Sequence, residues 1–226
     1  MSRWLPAIAL SLAAAAQAAP PARVEIDYQV LHNGGPLAEV RHVLEHDGET
    51  YRLTETWSGN GLLALLGEVR RSSHGRVTAA GLRPLEYDDQ RPRRPVAHAR
   101  FAWEAGTLTQ EFRDGPRIEA LPSKAQDRLS FLFAPAFDAS VANPIEFHVA
   151  DGKGVAHYVF DVAGRERLSV PAGEFEALRL VKRESDGRTT EIWLDAQRSR
   201  LPLRVLVVQE DGTRIDQVAT HIAVAP

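Results

Sequence analysis

Apolar and polar residues alternate along most of the chain. Val24, Ile26, Tyr28 and Val30 are interleaved with Glu25, Asp27 and Gln29, and Ala156, Tyr158, Phe160 and Val162 repeat the pattern. A period of two places successive side chains on opposite faces of a strand, so each run describes a strand with one buried face. Short turn signals separate the runs: HNGGP at His32, HDGE at His46, EAGT at Glu104, RDGP at Arg113, ADGKG at Ala150, SDGR at Ser185 and EDGT at Glu210. Asp-Gly and Asn-Gly supply the positive φ that tight hairpins require. The pattern predicts a series of antiparallel hairpins with roughly a dozen strands.

Two stretches break the alternation. In PSKAQDRLSFLFAPAF (122–137), Ser123 can cap a short helix that Pro135 ends, with Leu129, Leu132 and Phe133 on one side to pack against the sheet. DDQRPRRPVAHA (88–99) is rich in Pro and Arg and reads as a long loop or edge connection, because apolar alternation resumes at Phe101 and Trp103. TEIWLDAQRSRLPLRV (190–205) reads as strand, turn, strand. Thr190, Ile192 and Leu194 face one way and Glu191 and Trp193 the other, and Pro202 opens the returning strand, where its missing N–H does least harm. That strand has Leu203, Val205 and Val207 on one face but Leu206 and Val208 on the other. Both sides are therefore expected to be covered, and Asp195 belongs to a corner that holds the sheet rather than to a catalytic site.

The N-terminus MSRWLPAIALSLAAAAQA adds a compartment. One charge at Arg3, an apolar run from Trp4 to Ala16 and small residues at Ala16 and Ala18 form the three-part layout of a secretory signal peptide over 1–18, cleaved after Ala18. The apolar run is shorter than the roughly 20 residues that span a bilayer, so no transmembrane anchor is expected after cleavage. Residues 19–226 then form a single soluble periplasmic domain. Zero Cys excludes a disulfide framework, a thiolate metal site and a cysteine nucleophile; with 27 Lys and Arg against 30 Asp and Glu the formal net charge is −3, and loss of Arg3 with the signal would make it −4, a mild acidity that gives no reason to expect nucleic acid or anionic lipid as a partner. At 44% hydrophobic the chain can bury a core without staples.

Four stretches stand in a recognisable order: SSHGRVTAAGLRPLEY (72–87), DRLSFLF (127–133), VPAGEFEALRL (170–180) and IWLDAQRSRLPLRV (192–205). Together they resemble the exported bacterial proteins grouped as domain of unknown function 3108, over nearly all of the mature chain. The resemblance implies a periplasmic, all-β protein with one short helix, whose antiparallel curved sheet forms a partly open barrel similar to periplasmic lipoprotein and lipid carriers. It brings no catalytic residue, and fold alone does not give function.

No reaction is legible. WSGNG at Trp57 has the wrong spacing for a nucleophile elbow, and neither a His-Glu-x-x-His pair nor a phosphate-cradling glycine loop occurs. His42 and His46 share a strand face but lie roughly 13 Å apart, and read as solvent-facing imidazoles. His148 and His157 can pair across a hairpin. Asp88 and Asp89 read as part of a solvated loop. Asp127 with Arg128 and Ser130 is the most site-like polar group, with helix capping and surface pairing as its plainer role. No cofactor and no metal are expected.

The stronger signal is apolar. GNGLLALLGEV (59–69) sets Leu62, Leu63, Leu65 and Leu66 between glycines. Either the segment is a buried strand or helical turn plugging the core, or it is a movable flap hinged at Gly61 and Gly67 over the mouth of a β-cavity, a common ligand site. Trp57, Trp103 and Trp193 are candidate wall residues. The leading expectation is a non-enzymatic envelope protein that binds an apolar or lipid-like ligand. The alternatives are a scaffold for another envelope protein and a hydrolase with a dispersed site.

Overall fold

A computed structural model of the protein describes residues 20–112, 115–138, 142–150 and 154–225. The signal-peptide expectation for 1–18 lies outside them. In chain order the first half contains β1 (Arg23–His32), β2 (Gly35–His46), β3 (Thr50–Gly59), β4 (Val69–Thr78), β5 (Gly81–Gln90), β6 (Ala97–Ala102), β7 (Thr107–Phe112) and β8 (Gly115–Ala120). The second half contains β9 (Ala125–Asp127), the helix α1 (Ser130–Phe137), β10 (Ile145–Ala150), β11 (Val155–Val170), β12 (Gly173–Arg183), β13 (Thr189–Asp195), β14 (Pro202–Val208) and β15 (Arg214–Ala225). A six-residue 3-10 turn, Gly61–Leu66, interrupts the β3–β4 connection.

The fifteen strands of the described residues form one sheet in the order β8-β7-β6-β5-β4-β3-β2-β1-β15-β14-β13-β12-β11-β10-β9. Each half is a meander of consecutive neighbours, and the halves join where β1 pairs antiparallel with β15. Only the β9–β10 pair among these is parallel. The outermost strands β8 and β9 do not hydrogen-bond to each other, so the curved sheet is not closed. Instead it curls until β9 meets the opposite half: the Gln126 amide donates to the Leu82 carbonyl at 2.8 Å, and the Ser73 hydroxyl donates to Asp127 at 2.6 Å. The β8 edge carries Pro116, Arg117 and Glu119 beside an exposed Ile118, features that discourage edge-to-edge pairing.

The alternation works as expected in β1, where Val24, Ile26, Tyr28 and Val30 are all buried. The β1–β2 turn places Asn33 at φ 49° and Gly34 at φ 84°, the two positive values of a type I′ hairpin. Two cores result. The larger gathers the inner faces of β1–β5 with Leu129, Phe133 and Ala136 from around α1, and the smaller gathers Phe147, Val149, Phe160, Leu180, Ile192 and Leu194 with Ala134. The helix thus lies between two apolar surfaces, which is why SFLFAPAF is apolar all round rather than along one stripe.

Here the helix differs from its sequence expectation. It begins at Ser130, Ser123 is exposed, and residues 125–127 form a strand. The capping is done by Asp127, whose Oδ1 accepts the Leu129 and Ser130 N–H groups at 2.8 and 2.9 Å. Pro135 lies inside the helix rather than ending it, and the Arg200 guanidinium donates to the Pro135 and Asp138 carbonyls at its C-terminal end. Cations at that end complement the carbonyl dipoles.

The corner of residues 190–205 forms as predicted between β13 and β14. Asp195 Oδ1 accepts the N–H groups of Gln197 and Arg198, so it is a turn clamp. Both faces are covered, with Trp193 in the larger core and Ile192 and Leu194 in the smaller. One detail differs. Trp193 pairs with Arg204 but Leu194 with Pro202, so Leu203 is the extra residue of a bulge, and both Leu203 and Leu206 reach the larger core. Residues 88–99 are not one long loop either. β5 continues to Gln90 and β6 starts at Ala97, leaving the connection to Arg91–Val96.

Candidate functional site

β3 ends at Gly59, and the chain leaves the sheet there as the 3-10 turn before re-entering it at Val69. With three residues per turn, side chains at i and i+3 eclipse, so Leu62 and Leu65 share one face and Leu63 and Leu66 another. Exposure follows that division. Leu62 and Leu65 are 84% and 79% exposed, Leu63 and Leu66 41% and 58%. No residue of the turn is buried, which overturns the expectation of a core plug. The physical reason lies below it: Leu37 and Trp57 pack on the larger core at this end of the sheet, so the turn sits on them from outside.

Leu63 and Leu66 roof a recess of about 390 Å³ whose walls include Leu37, Trp57, Val69 and Pro92, with Arg91, Arg93 and Arg94 among the lining residues. Two glycines permit the close fit. A Cβ on Gly59 would lie 2.6 Å from Leu63 Cβ, and one on Gly67 would lie 3.2 Å from Pro92 Cγ. The turn therefore rests on β3 at one end and on the arginine loop at the other. Gly61 and Gly67, the two expected hinges, have φ of 59° and 87°, values that glycine adopts without steric cost.

The sequence-derived wall residues are divided among three places. Trp57 joins Leu63 and Leu66 at the recess. Trp103 lines a separate cavity of about 500 Å³ between the β4–β5 turn, α1 and β10, with Leu82, Pro135, Phe147 and Leu194. Its indole N–H donates to the Pro84 carbonyl at 2.6 Å and the Arg83 guanidinium sits 4.8 Å over its ring. Trp193 lines neither. It is buried, with Arg204 and Arg179 4.8 and 5.6 Å from its ring and its N–H donated to Glu166. Leu62 and Leu65, facing solvent, line neither the recess nor the Trp103 cavity.

A buried polar ladder underlies the arginine loop, and the sequence reading missed it. His42, Glu55, Arg71 and Asp89 are direct cross-strand neighbours on β2, β3, β4 and β5. His42 Nε2 and Glu55 Oε2 are 2.8 Å apart, Arg71 Nη1 pairs with Glu55 Oε1, and Arg71 Nε lies 3.2 Å from Asp89 Oδ2. Asp89 in turn accepts a bidentate fork from Arg91. Burial pushes the carboxyls of Glu55 and Asp89 up, but for Glu55 the hydrogen bond and charge of His42 with the Arg71 cation, and for Asp89 the cations of Arg91 and Arg71, outweigh it. Both end below the ordinary range. His42 is thus a core residue, edge-on to Tyr28 at 4.9 Å and 5.7 Å from the Phe133 ring, and not a solvent-facing imidazole. Asp89 is likewise buried in a strand rather than solvated in a loop. A signal existed. His42 falls between Val40 and Leu44, and Glu55 follows Tyr51 and Leu53, on the buried parity of their strands.

Asp127 is fully buried, so the surface half of its expected role is also corrected. Burial raises its pKa against the hydrogen bonds from Ser73, Ser130 and Leu129. His148 and His157 do pair, with rings stacked 4.8 Å apart, and His157 contacts Glu146 at 2.9 Å. Among the described residues no group of three or more His, Asp or Glu is placed to hold a metal ion. Nor is any described helix long and apolar enough to cross a membrane.

The fold is similar to that of a β-barrel-like protein of domain of unknown function DUF1849 from Brucella abortus, with a TM-score of 0.59, 7% identity and coverage of 92% of this chain and 100% of that one. Lower similarity links it to an exported protein with a YmcC-like fold from Bacteroides fragilis (TM-score 0.41, 8% identity, 88% of this chain and 95% of that one). A lipoprotein from Parabacteroides distasonis scores 0.40 at 6% identity, covering 92% of this chain and 96% of that one. At such identities the Brucella likeness shows a shared fold and nothing of activity. No curated protein matches the chain in sequence. Residues 23–218 match the family described as protein of unknown function DUF3108, and the chain belongs to that family.

Proposed function

We propose that the chain is a periplasmic, non-enzymatic β-protein that binds an apolar or amphipathic, lipid-like ligand in maintenance of the cell envelope. The observation that carries this reading is the recess under the leucine turn. Half-exposed Leu63 and Leu66 face Trp57 across about 390 Å³ of mostly apolar space, within the size range of small-ligand sites, which runs from roughly 300 to 1,000 Å³. The arginines give the same recess a polar rim, so an acyl or ring system can enter while an anionic end stays at the mouth. The glycine-flanked turn is the lid.

The test pairs stability with affinity. Leu63→Ala and Leu66→Ala are measured by denaturant unfolding and by titration with an environment-sensitive apolar dye, with Trp57 fluorescence followed in parallel. Because both side chains are far from fully buried, each change should cost less than about 1 kcal/mol of stability, while dye affinity falls roughly tenfold as the lid contacts disappear. Trp57→Phe should remove most of the dye-dependent change in tryptophan emission. A wild-type protein that binds no apolar dye would overturn the reading.

A further inference from the structure

We propose that the outer face of the leucine turn is a docking wedge for an anionic lipid bilayer, with Leu62 and Leu65 entering the acyl region and Arg93 and Arg94 engaging the headgroups. The proposal rests on the ligand reading in one respect only: it makes the bilayer the place where the recess is filled or emptied.

Leu62 and Leu65 need an explanation that the recess does not supply. They line neither the recess nor the Trp103 cavity and belong to neither core, yet they are the most exposed large apolar side chains among the described residues. Two adjacent leucines held out in water are unfavourable for a soluble protein unless something covers them. The 3-10 turn sets them on one side, so they present a single apolar face rather than two separate points.

The charge beside them points to what covers them. The loop Arg91–Val96 abuts the turn where Pro92 meets Gly67. Arg91 is fixed by its fork onto Asp89, at the end of the buried ladder, and this anchors the loop. Arg93 and Arg94 are exposed and make no side-chain hydrogen bond or ion pair among the described residues, and Val96, half exposed, adds apolar surface to the same loop. Of the acids near this end, exposed Glu68 is paired with Arg70 at 2.8 Å, and Glu39 is exposed opposite Ser58 on β3. A chain with a formal net charge of −3 therefore presents a cationic, leucine-tipped end. Apolar side chains flanked by unpaired cations are what an anionic membrane interface selects. A protein partner fits less well, since the turn and the loop together fall short of the roughly 20–30 residues per side of a standard interface.

The experiment is vesicle flotation of the mature protein, with phosphatidylcholine vesicles and with vesicles of phosphatidylcholine plus phosphatidylglycerol. The wild type should float with the anionic vesicles, more weakly with the neutral ones, and less as salt is raised. Leu62→Ser with Leu65→Ser should reduce partitioning on the order of tenfold or more, and Arg93→Glu with Arg94→Glu should abolish the preference for phosphatidylglycerol. Both double variants should keep the wild-type circular dichroism, and the leucine pair should still bind the apolar dye, because neither leucine lines the recess. Docking is overturned if the wild type does not float with anionic vesicles, or if the leucine double variant floats as well as the wild type. It is equally overturned if the wild type instead self-associates through these leucines without binding vesicles. Dye binding without flotation removes the docking proposal and leaves the ligand reading standing; flotation without dye binding does the reverse.

Discussion

Gly59 is the residue against which the leucine turn packs most closely. Its backbone is in an ordinary extended region, so alanine there meets no torsional strain, only Leu63: Cβ at 2.6 Å and the carbonyl carbon at 2.9 Å. Gly59→Ala should therefore lift the turn while leaving the sheet intact, read as weakened dye affinity with a small change in unfolding free energy. Asp127 makes a second prediction, in pH. Its folded pKa is raised, so the folded protein binds this proton more tightly than the unfolded chain does, and the ionised carboxyl opposes folding above the folded value. As pH falls from that value toward the ordinary 3.8, wild-type stability should gain relative to Asp127→Asn, measured as the difference between their denaturant curves. Glu55 and Asp89, with lowered values, act in the opposite direction, and the difference between the two proteins cancels them. Asp127→Ala should cost about 1–3 kcal/mol at neutral pH by stranding the donors of Ser73, Leu129 and Ser130. Such residues were only half legible. Parity shows that Glu55 and His42 face inward, but which inward-facing groups become neighbours depends on strand register, and register is set by turns and bulges far away along the chain.

At the scale of elements, hairpins were the easy part, because Asn33-Gly34 and its counterparts fix both the turn and the pairing locally. Helix α1 was harder. Its position between two apolar surfaces erased the one-sided stripe by which a helix is recognised, and its cap is provided by Asp127 from a strand that is itself defined only by pairing with β10. Phe133 joins these parts, being 1% exposed and set against the His42 ring. Phe133→Ala should cost about 3–5 kcal/mol, several times the cost expected at Leu63 or Leu66, so thermal unfolding of the three variants should rank them clearly. The leucine turn was legible as an apolar anomaly but not as a surface feature. Its amino acids are those of a core, and only the prior filling of that end by Leu37 and Trp57 displaces them outward.

At the scale of the molecule, the alternation and turn spacing carry the architecture, and the resemblance to the DUF3108 family is upheld by the match over residues 23–218. What no local pattern contains is the seam between the two meanders. There β1 lies between β2, its neighbour in the chain, and β15, whose Thr220 hydroxyl donates to the Asp27 carbonyl 193 residues away. Ending the chain at Gly212 should expose β1 and β14 as long open edges in the middle of the sheet, giving an aggregating, protease-sensitive product. The seam also orders events in time. A ribosome delivers β1 first and the strand that completes its pairing last, so for almost the whole of synthesis the two halves have nothing to zip together. Each meander, paired from neighbours in sequence, can form by itself, but the join between them waits for the last strand, with β15 as the latch that closes only when the whole sheet has arrived.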